Sequence, residues 1–298
     1  MNFTKNRQIW FSFSAAAIFL SLVSILFCGF RLGLDFTGGA RWQLEFSEKI
    51  EQKNLTDFFS QQKILTKKTK IQKTENGNFL VTIQDLPDAE IQKISQNLKN
   101  EVGEFSEISY QKVDSAIGAS FQKKAILAIL VALVGIILFV AFAFRKIPAA
   151  VNPWRFGAVA ILALFHDIFI ILGIFAALGF FLQIELDLQF ITALLATLGF
   201  SVNDTIVILD RVRENIRTQK SHENFADTIE KSVRQTFARS INTSISTLLP
   251  LIFLLFFGAK SIFFFVFALI CGILVGTYSS IFLAAPILVS WKNFAEKN

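Results

Sequence analysis

Three stretches of this chain run for about 20 residues or more without a single charge, Trp10–Phe30, Ala125–Phe144 and Ser261–Trp291. A helix needs about 20 apolar residues to cross the hydrocarbon of a bilayer. Three further stretches meet that length if each tolerates a little polarity. Phe156–Ile184 contains His166 and Asp167, Leu188–Leu209 contains Asp204, and Gln235–Phe257 contains Arg239. The pattern predicts six membrane-spanning helices. Composition agrees: 53% of residues are hydrophobic, 35 are Phe, and only 17% are charged, against roughly 25% in soluble domains. A disordered chain, a coiled coil and a disulfide scaffold are excluded. Cys28 and Cys271 both lie in apolar runs and offer neither metal spacing nor a disulfide framework.

The first run follows Lys5 and Arg7, as a signal peptide would. It is longer than a signal core and no small-x-small cleavage pattern follows, so an uncleaved anchor is expected. With six spans, the basic short segments fall on one face. They hold Lys5 and Arg7, then Arg145, Lys146 and Arg155, then Arg211, Arg213, Arg217, Lys220, Lys231 and Arg234, then Lys292 and Lys297. The opposite short loops carry Glu185 and Asp187 in one and Lys260 in the other. The positive-inside rule makes the basic face cytoplasmic, with both termini there.

Three parts are therefore expected: residues 1–30 as a cytoplasmic terminus and first span, 31–122 as an extracytoplasmic domain, and 123–298 as a five-helix membrane region. In the middle part Trp42, Leu44 and Phe46 alternate, as do Phe79, Val81 and Ile83. Leu55, Phe58 and Phe59 recur at helical spacing, and so do Ile91, Ile94, Leu98 and Val102. Ile64–Lys73 reads as a second strand, Asn76-Gly77 as a hairpin turn, and Ile108, Tyr110 and Val113 as a last strand. The order β-α-β-β-α-β predicts a small α+β domain of the ferredoxin-like type. The segment 211–238 is expected to be a cytoplasmic helical link. Its stripe of Phe225, Ile229, Val233 and Phe237 would lie on the membrane surface or against a partner.

No phosphate loop, nucleophile elbow or zinc spacing occurs, and His166 and His222 are the only histidines. No enzyme, metal or cofactor signature stands out. What remains is polarity inside the bilayer, where one charge costs about 2.5–3.5 kcal/mol. Asp204 lies about 9 Å inside its span and Arg239 about 7.5 Å inside the next, counting 1.5 Å per residue. The two spans run in opposite directions, so both charges reach a similar depth from one face. Asn203 and Thr205 flank Asp204, while Arg239, Thr243 and Thr247 recur at four. Two readings are open: a proton- or ion-coupling site, or a static ion pair joining two helices. His166-Asp167 is either a second proton-handling group or a hydrogen-bonded element of the bundle. Gly272-x-x-x-Gly276 reads as a small-residue packing face.

Four groups of residues carry a family resemblance. Gly33-Leu34-Asp35-Phe36-Thr37-Gly38-Gly39 follows the first span. Val202-Asn203-Asp204-Thr205 leads into Asp210-Arg211-Val212-Arg213-Glu214-Asn215. Arg239-Ser240-Ile241-Asn242-Thr243-Ser244 opens the fifth span, and His166-Asp167 sits in the third. Together they resemble the SecD/SecF family of bacterial protein export, and within it the smaller SecF type, which Phe36-Thr37 favours. Ala40, Ser240, Pro250 and Gly258-Ala259 depart from the usual pattern, and Pro250 is expected to kink its helix.

The resemblance implies an RND-superfamily membrane half in the inner membrane, paired with SecD and associated with the SecYEG channel, with YajC and indirectly with SecA. It implies use of the proton motive force to draw proteins outward, with Asp204 and Arg239 in proton passage. A sodium gradient is not excluded by the residues. Half of a small-molecule exporter of the same superfamily, or an uncoupled scaffold of the translocon, are the alternatives.

Overall fold

The computed structural model describes residues 3–62, 64, 69–74, 77–145, 153–218 and 224–295. In chain order the elements are α1 (Arg7–Cys28), α2 (Leu34–Thr37), β1 (Gly39–Phe46), α3 (Gln52–Gln61), β2 (Lys70–Lys73), β3 (Phe79–Ile83), α4 (Asp88–Glu101), β4 (Phe105–Val113), α5 (Ser115–Ala143), α6 (Pro153–Leu182), α7 (Leu188–Arg217), α8 (Phe225–Phe257), α9 (Phe263–Tyr278), a π-helical segment Ser279–Ala284, and α10 (Ala285–Ala295). Two compact units result, one of residues 32–126 and one of 1–31 with 127–298.

The smaller unit is a four-stranded antiparallel sheet in the order β2-β3-β1-β4. The strand period of two turns Ala40, Trp42 and Leu44 to one face together with Phe79, Val81 and Ile83. Leu55, Phe58 and Phe59 from α3 and Ile91, Ile94 and Leu98 from α4 cover that face and complete the core. Each such side chain contributes about 1.5–3 kcal/mol on full burial. A bulge between Gln43 and Leu44 leaves Ile108 of β4 without an opposite residue, and Ile108 is exposed. Of the expected second strand Ile64–Lys73, Lys70–Lys73 forms β2, Ile64 and Thr69 are not in a strand, and residues 65–68 lie outside the described residues. Asn76, half of the expected turn, lies outside the described residues; Gly77 has φ +87°.

The GG motif explains how β1 begins. Gly38 and Gly39 take φ +66° and +130°, which side chains rarely adopt. A Cβ on Gly38 would lie 2.6 Å from Ser115 Cα, and one on Gly39 would lie 2.4 Å from Ile83 O. Gly118 of α5 is equally tight, its Cβ position 2.9 Å from Gly38 N. The motif is a close crossing of three backbones. The Ser115 N–H donates to Asp85 Oδ2 at 2.9 Å, and this bond holds the Asp85 carboxyl below the usual carboxylate range.

Among the described residues, six helices are long and apolar enough to cross a membrane: α1, α5, α6, α7, α8, and the run from Lys260 to Lys292. In the larger unit α6 and α7 are central, while α1, α5 and α8 are peripheral and mostly exposed. Helix α1 lies on α6 at Gly173, where an added Cβ would meet Ser21 Cβ at 2.3 Å, and Ser24 Oγ donates to Gly173 O. Asp187 caps α7, accepting from Phe190 N at 2.8 Å, a bond worth about 1 kcal/mol.

One expectation is corrected. Phe225, Ile229 and Val233 do not face a membrane surface; they are buried in the chain's own core with Val212, Leu288 and Val289. Sequence periodicity shows that a helix has an apolar face, but not what covers it. Pro250 lies inside α8, which continues past it to Phe257.

Candidate functional site: two buried carboxylates held by hydroxyls

Small residues set up the site. A Cβ on Gly272 would lie 2.3 Å from Thr197 Cγ2, and one on Gly276 would lie 2.8 Å from Ser201 Cβ. The two glycines therefore let α9 rest directly on α7 over two successive turns. One turn further on, Thr277, Ser279 and Ser280 reach the same level as Ser201 and Asp204 of α7 and His166 and Asp167 of α6. All of these side chains are buried, Asp167 to 1% exposure and Asp204 to 6%.

Asp167 is bonded on both oxygens. Oδ1 meets His166 Nδ1 at 2.9 Å; Oδ2 accepts from Ser279 Oγ at 2.9 Å and from Ser201 Oγ. Asp204 Oδ2 accepts from Ser280 Oγ. Thr277 Oγ1 donates to Ile273 O and shares a bond with Ser244 Oγ at 2.5 Å. The Tyr278 ring stacks on the His166 imidazole, centroids 6.1 Å apart, and its hydroxyl donates to Trp10 O at 2.9 Å. His166 Nε2 and Thr205 Oγ1 are buried without a hydrogen-bond partner among the described residues.

No basic side chain other than His166 pairs with either carboxylate among the described residues. A hydrogen bond to a charged group contributes about 1.5–3 kcal/mol, against about 2.5–3.5 kcal/mol for a charge at the centre of a span. Asp167 has three such partners, His166 and the hydroxyls of Ser201 and Ser279, whereas Asp204 has the single hydroxyl of Ser280.

The sequence-predicted residues divide. Asp204, Thr205, His166 and Asp167 come together with the hydroxyls. Arg239 does not: it lies exposed on α8 with Asn242, Thr243 and Ser246, and among the described residues no ion pair joins it to Asp204. Counting residues along a span gives a depth, but facing direction depends on helix rotation. Thr243 Oγ1 bonds Arg239 O, and the partly exposed Thr247 bonds Thr243 O, so both hydroxyls close on their own helix. Asn203 is exposed on α7, opposite the interior. Gly33, Asp35, Gly38 and Gly39 belong to the smaller unit. Ser279 and Ser280 were not anticipated, although Thr277-Tyr278-Ser279-Ser280 is a run of four hydroxyls in an apolar span.

The Asp210–Asn215 block has a separate task at the end of α7. Arg213 pairs with Asp210 at 2.6 Å and donates to Ala143 O, fastening the end of α5. Asn215 Nδ2 donates to Ser232 Oγ and Gln235 Oε1, both at 2.8 Å, and Arg211 Nε also reaches Gln235. These bonds clamp α7 to the start of α8.

Six spans, a ferredoxin-like unit after the first of them, and carboxylates buried among hydroxyls define a membrane half of the RND type. Residues 93–294 match the model of the protein export membrane protein SecD/SecF C-terminal region, and residues 23–50 match the SecD/SecF GG motif. The chain belongs to the SecD/SecF family. It is 37% identical to the protein translocase subunit SecF of Thermobaculum terrenum, over 96% of this chain and 92% of that one. It is 34% identical to the protein translocase subunit SecDF of Thermus thermophilus, over 89% of this chain but only 35% of the longer protein. Among solved structures, it matches the crystal structure of SecDF, a translocon-associated membrane protein from Thermus thermophilus, with a TM-score of 0.83 at 33% identity, covering 98% of this chain and 39% of that one.

Proposed function

We propose that this chain is the SecF-type half of a proton-driven protein-export complex of the bacterial inner membrane, with both termini cytoplasmic. Asp204 binds and releases the coupling proton. The observation that carries this reading is the carboxyl itself, buried within a span, held by one serine hydroxyl and paired with no cation among the described residues. Moving one charge through 100 mV supplies about 2.3 kcal/mol, comparable to the cost of carrying it across the apolar interior.

The exposed polar faces support a partner half. Arg239, Asn242, Thr243 and Ser246 on α8 and Asn203 on α7 would face lipid if the chain stood alone, at a cost polar groups in membranes avoid by pairing. A SecD-type chain covers them in this reading, as the length of the SecDF relatives suggests, since this chain spans about a third of them. Arg239 then serves the joint between the halves and reaches Asp204 only when the halves move. Association with SecYEG and YajC, and action after SecA, follow from the family alone.

Protein translocation into inverted vesicles, with and without a proton gradient, tests the reading. Asp204→Asn keeps the shape and can still accept from Ser280, but it cannot titrate. The complex should assemble and lose its gradient stimulation. Near-normal stimulation in a well-assembled Asp204→Asn complex would reject proton carriage by this residue, and stimulation by a sodium gradient alone would change the ion.

A further inference from the structure

Two adjacent serines of one helical turn bond two different carboxylates. Ser279 reaches Asp167 and Ser280 reaches Asp204. Both serines are 0% exposed and lie at the start of the π-helical segment, a form found mostly as single turns at functional sites. Each hydroxyl has a second acceptor within reach. Ser279 Oγ lies 3.1 Å from Gly276 O, and Ser280 Oγ lies 3.1 Å from Thr277 O.

Beside Asp167, the buried His166 Nε2 has no partner among the described residues. With Nδ1 committed to Asp167, Nε2 is either a lone pair or an N–H, and in both forms it can exchange a proton further along. The Tyr278 ring lies against the imidazole and its hydroxyl lies 3.1 Å from Ser14 Oγ.

We propose that Asp167 is a second proton-binding site, coupled to Asp204 through Ser279 and Ser280 of the π-helical turn. This deepens the reading of Asp204 as the proton carrier and rests on it. When a carboxyl is ionised, its serine donates to it. When a proton arrives, the carboxylic O–H donates to the serine oxygen, and the serine hydrogen turns to the carbonyl three residues back. One proton is gained, one hydrogen bond reverses, and no covalent bond to carbon changes.

Both reversals act on the same place in the helix. Gly276 O and Thr277 O belong to the last turn of α9, where the α ladder gives way to the π segment. An added hydroxyl bond there competes with the peptide partner of that carbonyl. Protonating one carboxyl therefore biases the turn that presents the serine of the other. The titratable groups around Asp167 are His166 on its own helix, Asp204 from α7 and Tyr278 from α9. Helix α1 adds the Ser14 hydroxyl, and its one charged residue, Arg7, bonds Thr4 O. Sites that interact in this way titrate as a pair, with midpoints that belong to neither alone.

The test uses the full-length chain with its SecD-type partner in lipid nanodiscs. Infrared difference spectroscopy follows the carboxyl C=O stretch through a pH titration of wild type, Asp167→Asn, Asp204→Asn and Ser279→Ala. Asp167→Asn should remove part of the signal and displace the midpoint of the remainder by about one pH unit. Ser279→Ala keeps both carboxyls and should move a midpoint without loss of amplitude. In inverted vesicles Asp167→Asn should lose most gradient stimulation and Asp167→Glu should recover part of it. An Asp167→Asn complex with an unmoved titration and wild-type stimulation overturns the proposal. If that variant does not assemble, Ser279→Ala decides, and an unmoved midpoint overturns it. Stimulation surviving in Asp204→Asn strikes the carrier reading instead, while the infrared titration, which needs no export, still decides whether the two carboxyls are coupled.

Discussion

Replacing Gly39 by Ala tests whether the GG motif is a backbone crossing or a surface feature. Two costs add. A residue with a Cβ at φ +130° is held in a sparsely populated region, at about 1–3 kcal/mol. The new Cβ would lie 2.4 Å from Ile83 O, and that carbonyl belongs to the residue paired with Ala40 in the sheet. The carbonyl cannot retreat without opening the β1–β3 ladder, and overpacking of this kind costs about 1–3 kcal/mol. The stiffer unfolded chain returns only about 0.4–1 kcal/mol. The net loss is about 1–6 kcal/mol, with a mid-range near 3 kcal/mol. A unit of roughly 95 residues is stable by about 5–14 kcal/mol.

The assay is thermal unfolding of the isolated fragment 32–126, followed by circular dichroism. At about 4–8 °C per kcal/mol, the mid-range loss should lower the Tm of Gly39→Ala by about 12–24 °C. Gly77→Ala is the control. Gly77 also has positive φ, +87°, but an added Cβ there meets nothing within 4 Å, so only the backbone cost of about 1–2 kcal/mol applies. If Gly39→Ala is no worse than Gly77→Ala, the crossing of β1 with Ile83 does not limit stability and the reasoning fails. A wild-type fragment without a cooperative transition would show that the unit does not fold alone.

Two further predictions concern packing and pH. Gly272→Val places branched carbons where Thr197 already lies within 2.3 Å; the purified protein should show a clearly lower melting temperature in detergent, and an unchanged one would refute the tight α7–α9 contact. In fragment 32–126 the Asp85 carboxyl is lowered by the Ser115 N–H, so its stabilisation is present above the ordinary carboxylate value and lost as pH falls through the lowered one. Asp85→Asn should therefore flatten the acid limb of the Tm–pH curve below about pH 4, and an unchanged limb would refute the assignment.

Spans and strands were legible because they depend on one-dimensional patterns. Apolar length marks a membrane helix, and alternation marks Trp42 and Leu44 as inward-facing. Rotation of one helix against another is not written in either pattern. Asp204 and Arg239 were placed at matching depth by counting residues, yet one points into the bundle and the other out of it. The stripe of Phe225, Ile229 and Val233 was visible, but its cover is the end of α7, the helix just before it, together with α10, which is distant in sequence. The serines of the π-helical segment had a signal, four successive hydroxyl residues. Single hydroxyls are tolerated in spans because they bond their own helix, as Thr243 and Thr247 do. Only the arrival of Asp167 and Asp204 from other helices separates Ser279 and Ser280 from them.

The glycines and the serines of the last span act as one device. Gly272 and Gly276 bring α9 within backbone distance of Thr197 and Ser201. That contact fixes the height at which Ser279 and Ser280 meet the carboxylates. A larger residue at either glycine would lift α9 away and lengthen both serine bonds at once. The bulk of a packing residue and the proton on a carboxyl therefore act on the same coordinate, the position of α9 along α7. A hydrogen bond to a charge is worth about 1.5–3 kcal/mol, so under the proposed coupling one proton would shift that position, and movement of the helix would in turn change which carboxyl holds the proton.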